Sequence, residues 1–289
     1  MALTDQANRQ EFQNRYELRN RYLFTGRLVM QTALHIGGGK ITLSHSDSPI
    51  VLTPEEIPFI PGSSFKGALR STVEKLVPML PATAELRSCG LPTKDDETNR
   101  CPTARQSFVA KAKREREARQ GAAGANIDEE LENLCHTCQL FGSPFAAARI
   151  SINDLYMPRE EWSGAIQVRD GVAIDRDSEK ARDRLKYDFE VVPASAVFNL
   201  EIQLENATQQ DLQLICVGLS EFVHGFGVVG GKRSRGLGAC QLDGLEVFAL
   251  ELTGDERDKR LRNYLLKREF SGKFTGQEFL EKYIATIFQ

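Results

Sequence analysis

Ile60-Pro61-Gly62-Ser63-Ser64-Phe65-Lys66-Gly67-Ala68-Leu69-Arg70 is the stretch from which the rest of the chain can be organised. Pro61-Gly62 sets a tight turn, and a serine after it is placed to cap a helix. Phe65, Leu69, Val73 and Leu76 recur at helical spacing, so one face of that helix meets a core. Lys66 and Arg70 are four apart and share a different face near the helix start. Backbone amides and the positive end of the helix dipole collect there too, which makes a phosphate cradle. The same residues also describe a capped amphipathic helix with two solvated cations, and the stretch alone does not separate these readings.

Working outward, residues 22–34 alternate as a strand, with Tyr22, Phe24, Leu28, Met30 and Leu34 set against Arg27 and Gln31. A glycine bend at residues 35–39 ends it. Downstream, Ala196, Phe198, Leu200, Ile202 and Leu204 alternate with polar residues in a second strand. Thr208 to Asp211 then forms a capping-box start. Leu212, Ile215, Leu219 and Phe222 mark a second helix, and residues 242–250 return to a strand pattern. Two strand–helix–strand units in this order predict an α+β fold of ferredoxin-like type. Its core spans about 20–79, 141–157 and 195–250. Insertions fall at about 80–140 and 158–194, and a helical tail at about 255–289.

The chain has 289 residues, 41% of them hydrophobic, enough for one large domain with long insertions. Its formal net charge is −3, from 37 basic and 40 acidic residues, which argues against coating nucleic acid by bulk charge. A local basic groove remains open, and the placement of the cations decides it. The first twenty residues are polar and mixed in charge, unlike a signal peptide, and no run reaches the length of a membrane span. A cytoplasmic protein with no membrane partner is expected.

Several clusters carry chemistry. Gly230-Gly231-Lys232-Arg233-Ser234-Arg235-Gly236-Leu237-Gly238 places three cations among glycines that permit close backbone approach, which suits a polyanion; a hairpin with solvated cations is the plainer reading. Asp47, in the loop before the helix, could bind a divalent cation or assist proton transfer at a ribose 2′-hydroxyl, or it is simply a turn residue before Ser-Pro. His35 follows an apolar strand and reads as a satisfied strand-end residue, whereas His45 suits an acid–base role better. Cys135-His136-Thr137-Cys138 is a Cys-x-x-Cys pair, with Cys89 and Cys101 upstream. Four thiolates in a polar insertion can close a structural Zn²⁺ site, with His136 as a substitute ligand. No thioredoxin-like context favours a redox pair. Cys216 and Cys240 sit in apolar patterns as buried small hydrophobes.

Together these motifs resemble the RAMP superfamily, and within it the repeated backbone subunit of type III CRISPR effector complexes. The resemblance runs through residues 34–39, 46–51, 57–70, 138–143, 148–156, 168–202 and 230–238, in the family's order. The pairing of IPGSSFKGALR with GGKRSRGLG is its most specific part. The long insertion at 80–134 departs from the smallest members and resembles zinc-binding elaborations of some relatives. The resemblance implies a modified RRM-like palm and a β-hairpin thumb within about 160–195. Subunits would stack along a guide crRNA, beside other effector subunits and neighbouring backbone copies, with each thumb displacing a base pair of the guide–target duplex. Target RNA would be cut in a reaction dependent on Mg²⁺ or another divalent cation, with Asp47 essential. Extruding a base lets the 2′-oxygen align with the leaving 5′-oxygen, so positioning supplies much of the catalysis. By motif match, Ser63, Ser64, Lys66 and Arg70, together with Lys232, Arg233 and Arg235, would hold guide phosphates; Arg169 and Arg176 on the thumb join them. Backbone contacts carry no base information, so pairing supplies the specificity.

Other readings differ in chemistry. A binding-only backbone subunit would use Asp47 as a turn residue. A repeat-processing RAMP endoribonuclease would cut without metal through His35 or His45. A zinc-stabilised protein-binding scaffold would leave both phosphate-type loops unexplained.

Overall fold

The computed structural model describes residues 17–38, 46–90, 101, 134–143, 146–171 and 187–289. Within them the strands are β1 (Asn20–Met30), β2 (Phe59–Ile60), β3 (Ile150–Ile152), β4 (Leu155–Tyr156), β5 (Gln167–Gly171), β6 (Tyr187–Val191), β7 (Val197–Glu205), β8 (Gly227–Val228), β9 (Ala239–Glu251) and β10 (Gly272–Thr275). The α-helices are α1 (Gly62–Leu76), α2 (His136–Phe141), α3 (Gln209–Val223), α4 (Arg257–Lys267) and α5 (Gly276–Ala285).

The main sheet has the order β10-β9-β1-β7-β3, antiparallel throughout, and β8 pairs with the start of β9. Counting β1, β3, β7 and β9 as strands one to four gives the order 4-1-3-2. With α1 between the first two and α3 between the last two, this is the ferredoxin-like arrangement. Register aligns the apolar sets across the central strands: Phe24 lies between Ile202 and Val247, and Leu28 between Phe198 and Leu242. A period of two sends all six to one face, where they are buried.

Helices α1 and α3 cover that face. Phe65 of α1 meets Phe222 of α3 with ring centroids 5.0 Å apart, and both are fully buried. Each such side chain contributes about 1.5–3 kcal/mol of burial. Helix α3 opens with the capping box expected from sequence, Thr208 and Asp211 each bonding the other's backbone N–H. Asp211 is buried and also accepts from Arg149 Nη1 at 2.6 Å.

Two expectations change. The first strand stops at Met30, and Leu34 instead forms an isolated bridge with Val192. The tail is not wholly helical: β10 extends the sheet beside β9 before α5 begins. Four residues are too few for alternation to stand out against the charged flanks. Helix α5 lays Phe279 edge-on to Phe24, at 5.6 Å, so the tail completes the core.

Candidate nucleic-acid interface and metal centre

Helix α1 starts where a short antiparallel pair, β2 with β4, delivers Pro61 at φ −54°. The capping differs from the sequence expectation. Helical structure begins at Gly62, and its N–H donates to Asp154 Oδ1 at 2.8 Å; neither serine caps the end. Gly62 is required sterically: a Cβ there would lie 2.2 Å from the Ile152 carbonyl oxygen. Ser63 and Ser64 therefore sit inside the first turn. Together with Gly67 they form one wall of a groove of about 390 Å³. Ile36 and Gly37 of the first glycine bend and Gly230, Gly231 and Arg233 of the second line the rest.

The second glycine loop is shaped by its own backbone. Gly231 N–H donates to the His35 carbonyl at 2.8 Å, and Gly238 N–H to that of Ala33 at 2.9 Å. Gly238 has φ +85°, and a Cβ there would fall 1.9 Å from the Val229 oxygen, so only glycine fits. Arg233 is exposed, with Nε bonded to the Gly230 carbonyl at 3.0 Å. Lys232 places Nζ 4.4 Å from the Phe189 ring centroid and 5.0 Å from that of Tyr187. Arg235 stacks on Tyr187 and donates to its hydroxyl. Two of the three loop cations thus rest on aromatics of β6.

The cations of α1 point elsewhere. Lys66 Nζ donates to the Ile150 carbonyl at 3.1 Å, and burial, then the charge of Arg70, lowers its pKa. Arg70 Nε donates to Glu74 at 2.8 Å and Nη1 to the Gly142 carbonyl at 3.0 Å. Spacing put Lys66 and Arg70 on a face of their own, and that face meets β3 and α2 rather than the groove. Serine and glycine form the groove wall instead.

Asp47 is exposed on a loop that β6 holds in place. Its backbone N–H donates to Asp188 Oδ1 at 2.7 Å, and its Oδ2 accepts the Asp188 N–H at 3.1 Å. Ser46 Oγ donates to the same Asp188 oxygen, and Glu190 N–H donates to the Ser48 carbonyl. The end of the loop runs back to the groove, where Gly38 N–H donates to Pro49 O and Val51 N–H to Ile36 O. His35 is buried, with Nδ1 2.7 Å from the Glu190 carbonyl and Nε2 3.3 Å from Ser48 Oγ. Both ring nitrogens are engaged, as expected of a structural histidine. His45 and Arg176 lie outside the described residues; Arg169 is exposed on β5, which pairs with β6 in a separate two-stranded ribbon.

Sequence reading did not single out Asp154, Tyr187, Asp188 or Phe189. The alternation of Tyr187-Asp188-Phe189-Glu190-Val191 marks a strand, but not that its two faces support different loops.

Cys89, Cys101, Cys135 and Cys138 converge, with all four sulfurs within 4.8 Å of one another. Cys135 caps α2, accepting the Cys138 N–H at 3.4 Å, and its own N–H donates to Cys101 Sγ at 3.1 Å. Zinc–sulfur bonds of about 2.3 Å would set tetrahedral sulfurs about 3.8 Å apart, so the donor set and its spread fit a metal such as zinc. Mutual hydrogen bonding among the sulfurs pulls the Cys89 and Cys101 thiols down and pushes Cys135 and Cys138 up. Four thiols this close cannot all carry charge unaided, and a dication among them would neutralise the thiolates. His136 turns away: its Nδ1 accepts the Arg87 N–H at 3.0 Å.

A family model of the RAMP superfamily matches residues 27–241, from the middle of β1 into β9. The chain belongs to the RAMP superfamily. The match includes both glycine loops, α1, the four cysteines and the β5–β6 ribbon. Among curated relatives, this RAMP chain is similar to the CRISPR system Cms endoribonuclease Csm3 of Methanothermobacter thermautotrophicus, 46% identical over 55 residues. It is also 44% identical over 59 residues to the Csm3 of Enterococcus italicus. These segments cover 18% and 19% of this chain, and 22% and 28% of the respective relatives, so each match spans well under a third of either partner.

Proposed function

We propose that this chain is a backbone subunit of a type III CRISPR effector complex that binds guide crRNA and cuts paired target RNA in a divalent-metal-dependent reaction centred on Asp47. The observation that carries the reading is the groove: two glycine segments far apart in sequence, and the start of α1, converge with the cation of Arg233. Small residues that allow close backbone approach, beside a cation, suit a phosphate chain. The outward residues of central strand β7 are Asn199, Glu201 and Gln203, which do not suit RNA stacking on the sheet. The similarity to endoribonucleases named Csm3 supports cleavage.

In this reading the whole chain is one RAMP domain, with the β5–β6 ribbon as the root of a thumb and the cysteine cluster as a zinc-bearing insertion. Ser63, Ser64 and Arg233 contact guide phosphates directly. Lys232 and Arg235 supply field and hold the loop against the thumb, while Arg169 and Arg176 reach along the duplex. Lys66 and Arg70 support the helix from behind. A divalent cation would neutralise charge on the scissile phosphate. Asp47 orients the attacking 2′-hydroxyl, its Oδ2 braced by Asp188 so that the carboxylate holds one direction.

The same bracing favours a second reading, in which Asp47 only builds the loop and the subunit is a non-cleaving scaffold. Guide-complementary RNA offered to the assembled complex, wild type against Asp47→Ala, with Mg²⁺ and with chelator, separates them. Loss of the regular cuts in Asp47→Ala, with guide binding intact, is expected. Unchanged cutting leaves the scaffold reading.

A further inference from the structure

The guanidinium of Arg70 is shared among three acceptors from two elements. Nε holds the buried Glu74 one turn along α1, Nη1 takes the Gly142 carbonyl that ends α2, and Nη2 lies 3.6 Å from Cys138 Sγ. One planar fork therefore grips α2 at both ends, through a thiol of its first turn and the carbonyl of its C-cap. A zinc ion with four thiolates carries a net charge of about −2, and an N–H···S bond from a cation offsets part of it. A guanidinium is charged at all working pH values, and its fixed donors match three directions at once, which an ammonium does not.

We propose that Arg70 is a positioning residue of the metal centre, clasping the turn that carries Cys135 and Cys138 to helix α1, and is withheld from RNA phosphate. This rests on the reading of the four cysteines as a zinc site, but not on the identity of the RNA. Helix α1 then has two working ends: its first turn walls the groove, and its middle anchors the metal loop.

The test uses the zinc-loaded full-length chain. Zinc affinity is measured by competition with a chromophoric chelator for wild type, Arg70→Ala and Arg70→Lys, with circular dichroism in excess zinc as the check on folding. Both variants are expected to hold zinc about 10- to 100-fold more weakly, as for other partners behind the ligands. Should Arg70→Ala fail to fold, Arg70→Lys carries the measurement. Zinc retention equal to wild type in the lysine variant overturns the proposal, and a wild-type chain that binds no zinc overturns the metal centre with it. A second arm measures guide RNA binding against salt at saturating zinc. Arg70→Ala is expected to keep the wild-type slope, whereas Arg233→Ala lowers it by about 0.7, the share of one phosphate contact on a single strand. A matching drop for Arg70→Ala returns that residue to the RNA. Unchanged slopes for both leave its metal role standing and count against the groove.

Discussion

At the residue scale, the proposed role of Asp47 makes cleavage depend on Asp188, a side chain that need not touch RNA. Each backbone N–H meets the other's carboxylate, so the loop and β6 are locked by two reciprocal bonds. Misplacing a reacting group by about 1 Å can cost about 100-fold in rate. Asp188→Ala is therefore expected to slow single-turnover target cleavage by about 10- to 100-fold while guide affinity is unchanged. Asp188→Asn keeps an acceptor oxygen and should recover most of the rate. Adding Asp188→Ala to Asp47→Ala should cost nothing further; a further loss would give Asp188 a separate role. The two aspartates are 141 positions apart, so only the fold reveals the pair. The convergence of the four cysteines was legible from ligand type and number. The destinations of Lys66 and Arg70 were not, because i,i+4 spacing fixes which residues share a face but not what that face meets.

At the element scale, the long alternating strands and the two central helices were readable, since β7 and α3 each span enough turns or pleats for their period to emerge. β3, with three residues, and β10, with four, carry no period of their own and exist through pairing with β7 and β9. The start of α1 shows how narrow such junctions are. Gly62 passes within van der Waals contact of the β3–β4 connection, and a methyl group there meets backbone oxygens rather than a yielding side chain. Gly62→Ala is expected to cost about 1–3 kcal/mol by overpacking, seen as a lowered melting temperature. It should also weaken guide binding, because the displaced turn carries Ser63 and Ser64. Wild-type stability in this variant would contradict the packing described.

At the scale of the whole molecule, two regions of the chain are held together by different means. The ferredoxin-like sheet and its helices have a continuous apolar core, whereas among the described residues the cysteine region packs Cys101, Leu134, Cys135 and Cys138, with Cys89 and Ala146 against them. If the four cysteines hold zinc as proposed, stripping it is expected to raise hydrogen exchange in residues 85–90 and 134–143 while β1, β7 and β9 stay protected. Uniform loss of protection would mean that the metal supports the entire fold. Among the described residues no helix is long and apolar enough to cross a membrane. The net charge of −3 coexists with a groove whose charged lining residue, among those described, is an arginine.

The contact between the Cys135 N–H and Cys101 Sγ bears on how much chain length the fold tolerates. Cys101 and Cys135 are 34 positions apart yet meet directly, so the chain joining them has its two ends fixed side by side. The entropy of closing such a connection grows only with the logarithm of its length, about 0.6 kcal/mol per doubling. A change in the length of that connection therefore adds little to the cost of holding its ends together, whatever the groove and the Asp47 loop require.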